Sequence, residues 1–274
     1  MNHSGSGPTQ PGARLSAWKS VGRFGLFVFG IGAVLTLLAT PWLELSWWTV
    51  FRRCVSIAAA LSLWLCIRKF EHRSFRSYGL SASGSWTRQL LFGLLLGFGT
   101  LGLMLAMGLA SGICRIELTP DRIKLWRTVL GFLPAAGLVG VLEELVFRGF
   151  LLQHLMVCST RRAVVVSSAL YALLHLKAPT LTMATSLELG GLFLLGVILS
   201  LSYLRTRQLF LAIGLHAALA YGARVNKLLI QFSDMFPSWL VGTSRLVNGL
   251  MGWAALLGIG GLVLWWTRPA QKEA

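Results

Sequence analysis

Two glutamates and an arginine interrupt an apolar run at Leu142-Glu143-Glu144-Leu145-Val146-Phe147-Arg148-Gly149-Phe150. Charge inside hydrocarbon is expensive and calls for a partner or a task. On a helix, Glu144 and Arg148 stand four residues apart on one face and can pair, whereas Glu143 points about 100° away. One carboxylate is therefore expected to be held and the other available. A buried carboxylate without a partner is pushed toward its protonated form, which suits it to take up and return a proton.

Two histidines follow in later apolar runs. His175 closes Tyr171-Ala172-Leu173-Leu174-His175, so Tyr171 and His175 share a face at four-residue spacing, and His216 lies in Gly214-Leu215-His216-Ala217-Ala218-Leu219-Ala220. Amide hydrolysis needs a base for water, a donor for the developing oxyanion and an acid for the leaving amine, and these residue types can supply all three. Glu143 with His175 and His216 also has the donor types of a zinc site, although no HExxH spacing occurs; the reading commits to no cofactor and leaves Zn²⁺ open. Each group taken alone has a structural explanation. A lone intramembrane His can be a helix-to-helix hydrogen bond worth about 0.6–2 kcal/mol, Glu144–Arg148 a buried pair, and Tyr171 a packing residue. His154 nears the end of its run and reads as structural, contacting headgroups or the last helix carbonyls.

The elements that must position these groups are membrane spans. Of 274 residues 55% are hydrophobic and 12% charged, and mean hydropathy is +0.69; a soluble domain carries about 25% charged residues. The net charge of +16 falls in clusters between apolar runs, which marks topology and not a nucleic-acid surface. Cys54, Cys66, Cys114 and Cys158 lack metal or disulfide spacing and read as core filler.

Runs long enough to span, about 20 residues each, lie near 21–39, 48–67, 89–111, 128–158, 163–181, 187–204, 208–223 and 246–267. The fold class is an all-α polytopic transmembrane bundle of about eight spans. A flexible cytoplasmic tail (1–20) precedes a transmembrane domain (21–267), and a short tail (268–274) ends the chain. With both termini cytoplasmic, that side receives fourteen Lys and Arg against ten outside, the orientation expected of an integral protein of a bacterial inner membrane.

The connections read simply. Arg68 to Arg88, with Ser-Tyr-Gly-Leu at 77–80, is a basic loop; Cys114 to Arg127 opens a helix at Asp121; Arg224 to Arg245 is a loop. One tension remains in helix depth. At 1.5 Å per residue, Glu143 lies about 27 Å, His175 about 20 Å and His216 about 14 Å from the basic residues that end their spans. If the three meet, the end of the fourth span protrudes or some helices tilt or break.

In its EExxxR, aromatic-xxx-His and later His the chain resembles the CPBP family of CAAX-type prenyl proteases and bacteriocin-processing (Abi) proteins, through Glu143-Glu144 with Arg148, Tyr171 with His175, and His216. The likeness covers about residues 125–225, with Ser-Tyr-Gly-Leu a weaker echo. It implies an α-bundle with a polar cavity and hydrolysis of a peptide bond in a membrane-anchored protein or peptide substrate at the lipid bilayer. It further implies that the first glutamate, helped by histidine, activates water while the second and the arginine shape the site. Ala220 stands where many members carry Asn, a candidate oxyanion donor. Either backbone N–H, Arg148 or Tyr171 replaces it, or the chain is a non-catalytic immunity or scaffold member; a proton-coupled transporter is the more distant rival.

Overall fold

The computed structural model describes residues 11–82, 84–175, 181–242 and 247–268. Its helices are α1 (Pro11–Ala39), α2 (Trp47–Leu65) continued by a π-helical segment (Cys66–Phe70), α3 (Trp86–Ala110), α4 (Arg122–Glu144) continued by a second π-helical segment (Leu145–Leu151) and α5 (Leu152–Met156), α6 (Thr160–Leu174), α7 (Met183–Thr206), α8 (Phe210–Leu229), the short α9 (Ser238–Val241) and α10 (Leu250–Trp266). Five runs are long and apolar enough to cross a membrane: Arg14–Trp42, Trp47–Phe70, Trp86–Ala110, Arg122–Met156 and Met183–Thr206. The molecule is an all-α integral membrane bundle completed by α6, α8 and α10.

Helix α8 is the hub. Leu211 to Leu219 are all buried, and α3, α4 and α7 pack around it. A helix enclosed by protein need not match the apolarity of lipid, which is why the helix that carries His216 is missing from the five. Lipid-facing α3 shows the opposite pattern, with Leu91, Leu95 and Leu103 exposed. The α3–α8 crossing is close: a Cβ on Gly93 would lie 2.4 Å from the Leu211 carbonyl oxygen, and one on Gly214 2.3 Å from that of Leu90. Small residues let membrane helices approach in this way. Asp121 opens α4 as the sequence suggested, its side chain accepting from the Lys124 N–H at 2.8 Å.

Several boundaries differ from the sequence expectation. The first helix begins at Pro11, so residues 11–20, expected as tail, are helical; Arg14 and Lys19 can keep their charged ends in water while their stems follow the helix. The tail residues 1–10 and 269–274 lie outside the described residues. In the fifth run the helix ends at Leu174, residues 176–180 of the expected span lie outside the described residues, and the seventh run continues to Leu229. The expected loop after it holds a strand, β2 (Ile230–Phe232), paired antiparallel with β1 (Cys114–Ile116) in the register Cys114↔Phe232 to Ile116↔Ile230. Three-residue strands carry too little alternation to be legible. They join the far ends of α3 and α8.

The Ser-Tyr-Gly-Leu loop is more than a linker. The Tyr78 hydroxyl donates to the Glu71 carboxylate, and His154 Nε2 lies 3.0 Å from Glu71 Oε1. His154 Nδ1 donates to the Phe150 carbonyl at 2.8 Å. Burial alone would raise the Glu71 pKa, but hydrogen bonds from His154, Tyr78 and Ser20 outweigh it and hold it below its ordinary value, whereas burial and the Glu71 charge push Tyr78 up. Gly79, at φ +99°, turns its carbonyl to accept from the Leu209 N–H at 2.9 Å. The loop thus joins the end of the fourth span to the turn that begins α8.

Candidate active site

The sequence-predicted residues meet. Glu144 is the last residue of α4 and Arg148 lies in the π-helical segment after it; both are completely buried. Arg148 Nη1 donates to Glu144 Oε1 at 2.9 Å and Nη2 to the Gly196 carbonyl at 3.0 Å. The guanidinium also lies 4.8 Å from the Tyr171 ring centroid. His216 Nδ1 approaches the same Glu144 oxygen at 2.7 Å. One carboxylate oxygen therefore joins α8 to the fourth span.

Glu143, one residue earlier, turns to a different space. Its Oε2 lies 3.6 Å from His175 Nε2 and 3.7 Å from His216 Nε2, and among the described residues it has no hydrogen-bond partner. His175 caps α6 and donates from Nδ1 to the Tyr171 carbonyl at 2.8 Å. His216 donates from Nδ1 to Glu144. In their neutral forms both rings consequently direct an Nε2 lone pair toward Glu143. These separations exceed direct hydrogen-bond reach and suit one small bridging donor.

Exposure divides the cluster the same way. The Glu143 and His175 side chains are 31% and 32% exposed, against 0% for Glu144 and Arg148 and 5% for His216. The Glu143–His175 side of the cluster is partly exposed, with Glu143 Oε2 itself buried, and is backed by a closed ion pair. Tyr171 forms the wall between them: its ring is buried, 4.5 Å from that of His175, 5.9 Å from that of His216 and 5.2 Å edge-on from that of Phe147.

The unequal distances along the helices persist in the structure. His175 stands 15 residues beyond the start of α6, about 22 Å, and His216 six residues beyond the start of α8, about 9 Å. Both face Glu143, so the site is farther along α6 from its start than along α8, and the fourth span departs from regular α-helix directly after Glu144. The π-helical segment between was not legible in the sequence. Such wide turns concentrate at functional sites, and here the Phe147 carbonyl accepts both the Leu152 N–H and the Ser167 hydroxyl.

Gly196 was missed as well. Its carbonyl receives Arg148, and a Cβ there would lie 2.9 Å from Ser168 Cβ, so α6 and α7 cross where only glycine fits. The small residues Gly190, Gly191 and Gly196 spaced along one span were the available signal. His154 falls outside the cluster, in the contact with Glu71. Among the described residues no group of three or more His, Cys, Asp or Glu side chains is arranged to hold a metal ion.

Residues 125–221 match a family model described as type II CAAX prenyl endopeptidase Rce1-like. This segment is an Rce1-like domain of the CPBP family. The Rce1-like match begins at Leu125 near the start of α4 and ends at Tyr221 in α8, so it encloses every residue of the cluster. The domain is that of a protease, and its class of activity is intramembrane endopeptidase. No curated protein and no solved structure matches the chain.

Proposed function

We propose that this chain cleaves a peptide bond in a membrane-anchored protein or peptide with water activated by Glu143. The observation that carries the reading is the division of labour between adjacent carboxylates. Glu144 Oε1 is occupied by Arg148 and His216, while Glu143 Oε2 faces two imidazole Nε2 atoms across 3.6 and 3.7 Å.

A water among these three atoms gives one proton to Glu143 as its oxygen attacks the scissile carbonyl, and Glu143 returns that proton to the leaving amine. His175 and His216 orient the water; Glu144 fixes the His216 tautomer, and Arg148 fixes Glu144. Ala220 cannot donate; the Tyr171 hydroxyl is the side-chain donor assigned to the oxyanion, with the unpartnered Arg148 Nε as the other side-chain candidate. The roles of Glu143, Glu144, Arg148, Tyr171, His175 and His216 are parts of this proposal. So are a catalytic core at about 125–225 within a membrane domain of 21–267, both termini on the cytoplasmic side, and residence in a bacterial inner membrane.

The test is the purified protein with a membrane-anchored peptide, read by mass spectrometry. A single defined cut that disappears in Glu143→Gln supports the reading. Candidate substrates left whole by wild-type protein, together with wild-type function in cells for Glu143→Gln, His175→Ala and His216→Ala, favour the non-catalytic member that Ala220 suggests.

A further inference from the structure

Ser200 and Ser202 are both completely buried on α7, where a hydroxyl must find an acceptor or cost stability. Ser200 donates to the Gly196 carbonyl at 2.8 Å, and Ser202 to the Leu199 carbonyl at 2.7 Å. The two bonds differ in what lies beyond them. Among the described residues no side chain of another helix donates to the Leu199 carbonyl, whereas the Gly196 carbonyl also receives Arg148 Nη2 at 3.0 Å.

Gly196 itself is pinned by α6. A Cβ on it would lie 2.9 Å from Ser168 Cβ and 3.0 Å from Ser168 Cα, so the neighbouring backbone fixes where the residue sits and leaves the direction of its carbonyl to be set. In a regular helix that oxygen points along the axis toward the N–H four residues on, and a guanidinium from another helix meets it side-on. A serine hydroxyl bonded back to the same carbonyl competes with the axial bond and bends the helix locally.

We propose that Ser200 is a positioning residue for the peptidase reaction: its hydroxyl, sharing the Gly196 carbonyl with Arg148, holds that oxygen off the helix axis and so fixes the guanidinium. The effect passes through contacts already described. Arg148 Nη1 holds Glu144 Oε1 at 2.9 Å, the same oxygen receives His216 Nδ1 at 2.7 Å, and His216 Nε2 faces Glu143 at 3.7 Å. Ser200 touches none of the reacting atoms. The inference rests on the reading of Glu143 as the base, but the placement of Arg148 can be measured without turnover.

The experiment uses the full chain in detergent as wild type, Ser200→Ala and Ser202→Ala. Each variant removes one hydroxyl, and because back-bonding of this kind does not stabilise a helix, both unfolding midpoints should match or slightly exceed that of wild type. Nitrogen-15 labelling of arginine then follows Arg148. It is the one buried arginine among the described residues, so its guanidinium N–H signals should outlast the others after transfer to deuterated water. Their exchange should quicken in Ser200→Ala by about two- to tenfold, the factor of one ordinary hydrogen bond, and keep the wild-type rate in Ser202→Ala. Turnover of a membrane-anchored peptide should fall by about the same factor in Ser200→Ala alone, in kcat and not in KM.

Wild-type exchange in Ser200→Ala, an equal change in Ser202→Ala, a loss carried by KM, or a midpoint lowered in Ser200→Ala would overturn the proposal. The two readings separate cleanly. Intact cleavage with unchanged exchange in Ser200→Ala removes Ser200 and leaves the peptidase reading standing; quickened exchange in a chain that cleaves nothing keeps Ser200 as the residue that places Arg148 and removes Glu143 as the base.

Discussion

The fourth span meets a glutamate–histidine contact near each end of its second half, and the two differ in what they leave unspent. Near the α5–α6 turn, Glu71 receives the Tyr78 hydroxyl and the His154 ring, both side chains of the ion pair are only 12% and 13% exposed, and the Tyr78 ring stacks over the imidazole. Deeper in the span, Glu144 Oε1 is likewise taken, by Arg148 and His216, while Oε2 is buried without a partner; Glu143 beside it has its Oε2 facing two ring nitrogens on a side chain that is 31% exposed. A satisfied cluster holds elements together. A partly exposed one whose carboxylate oxygen faces two ring nitrogens without bonding either can bind water and move protons. Residue type does not separate architecture from chemistry here; the two imidazole nitrogens gathered about one unbonded oxygen and the partial exposure of the side chain that carries it do.

The strongest break of that contrast is Glu143→Gln. It should lower turnover by about 10²–10⁴ or more while leaving expression and the unfolding midpoint near wild type. An active Glu143→Gln assigns the chemistry elsewhere. Glu144→Gln should do something different, because it strands a fully buried Arg148 and also releases His216. Breaking such a pair from one side costs about 3–5 kcal/mol, so reduced yield and a lowered midpoint should accompany the loss of activity, and Arg148→Ala should behave alike. If Glu144→Gln is stable but inactive and Glu143→Gln merely unstable, the two carboxylates exchange roles.

Tyr171→Phe tests the wall between the clusters. It keeps the ring contacts to His175, His216 and Phe147 but removes the hydroxyl, so turnover should fall with little change in substrate KM, by less than the 10²–10³ typical of a dedicated oxyanion donor. Unchanged turnover would move the oxyanion contact to Arg148 Nε or backbone N–H groups. Metal content sharpens the same point: the water mechanism expects purified, active enzyme to carry no stoichiometric zinc and to resist chelators, and one tightly held zinc whose removal abolishes activity and whose return restores it would replace that mechanism.

The smallest effect belongs to the outer cluster. Glu71→Gln should lower stability near neutral pH without a turnover loss comparable to that of Glu143→Gln. Its sign with pH follows from the lowered Glu71 pKa. The ionised carboxylate contributes fully above the ordinary value of 4.5, and the contribution disappears as pH falls through the lower folded value. Unfolding midpoints of wild type and Glu71→Gln should therefore converge in acid below that range, and a gap that persists there would show that Glu71 acts by packing and not by charge.

Much of the site was legible because it rests on local geometry. Four-residue spacing pairs Glu144 with Arg148 and frees Glu143 on any helix, and charge in apolar sequence is rare enough to single out Glu143, Glu144 and Arg148 without a structure. Composition alone fixed the membrane class, since 12% charge cannot cover a soluble surface. What the sequence could not decide was anything set by contacts between distant segments. That His216 reaches both glutamates depends on Gly140 letting α4 close against α8 beside Ile213 and Ala217. That Arg148 finds the Gly196 carbonyl depends on α6 and α7 crossing at a glycine. That Glu71 and His154 pair depends on a loop folding back over the end of the fourth span. Local periodicity encodes which face a side chain occupies, whereas helix depth, the π-helical turn and the partner across a crossing emerge only when the whole bundle packs, because they are set by steric fit among residues far apart in the chain.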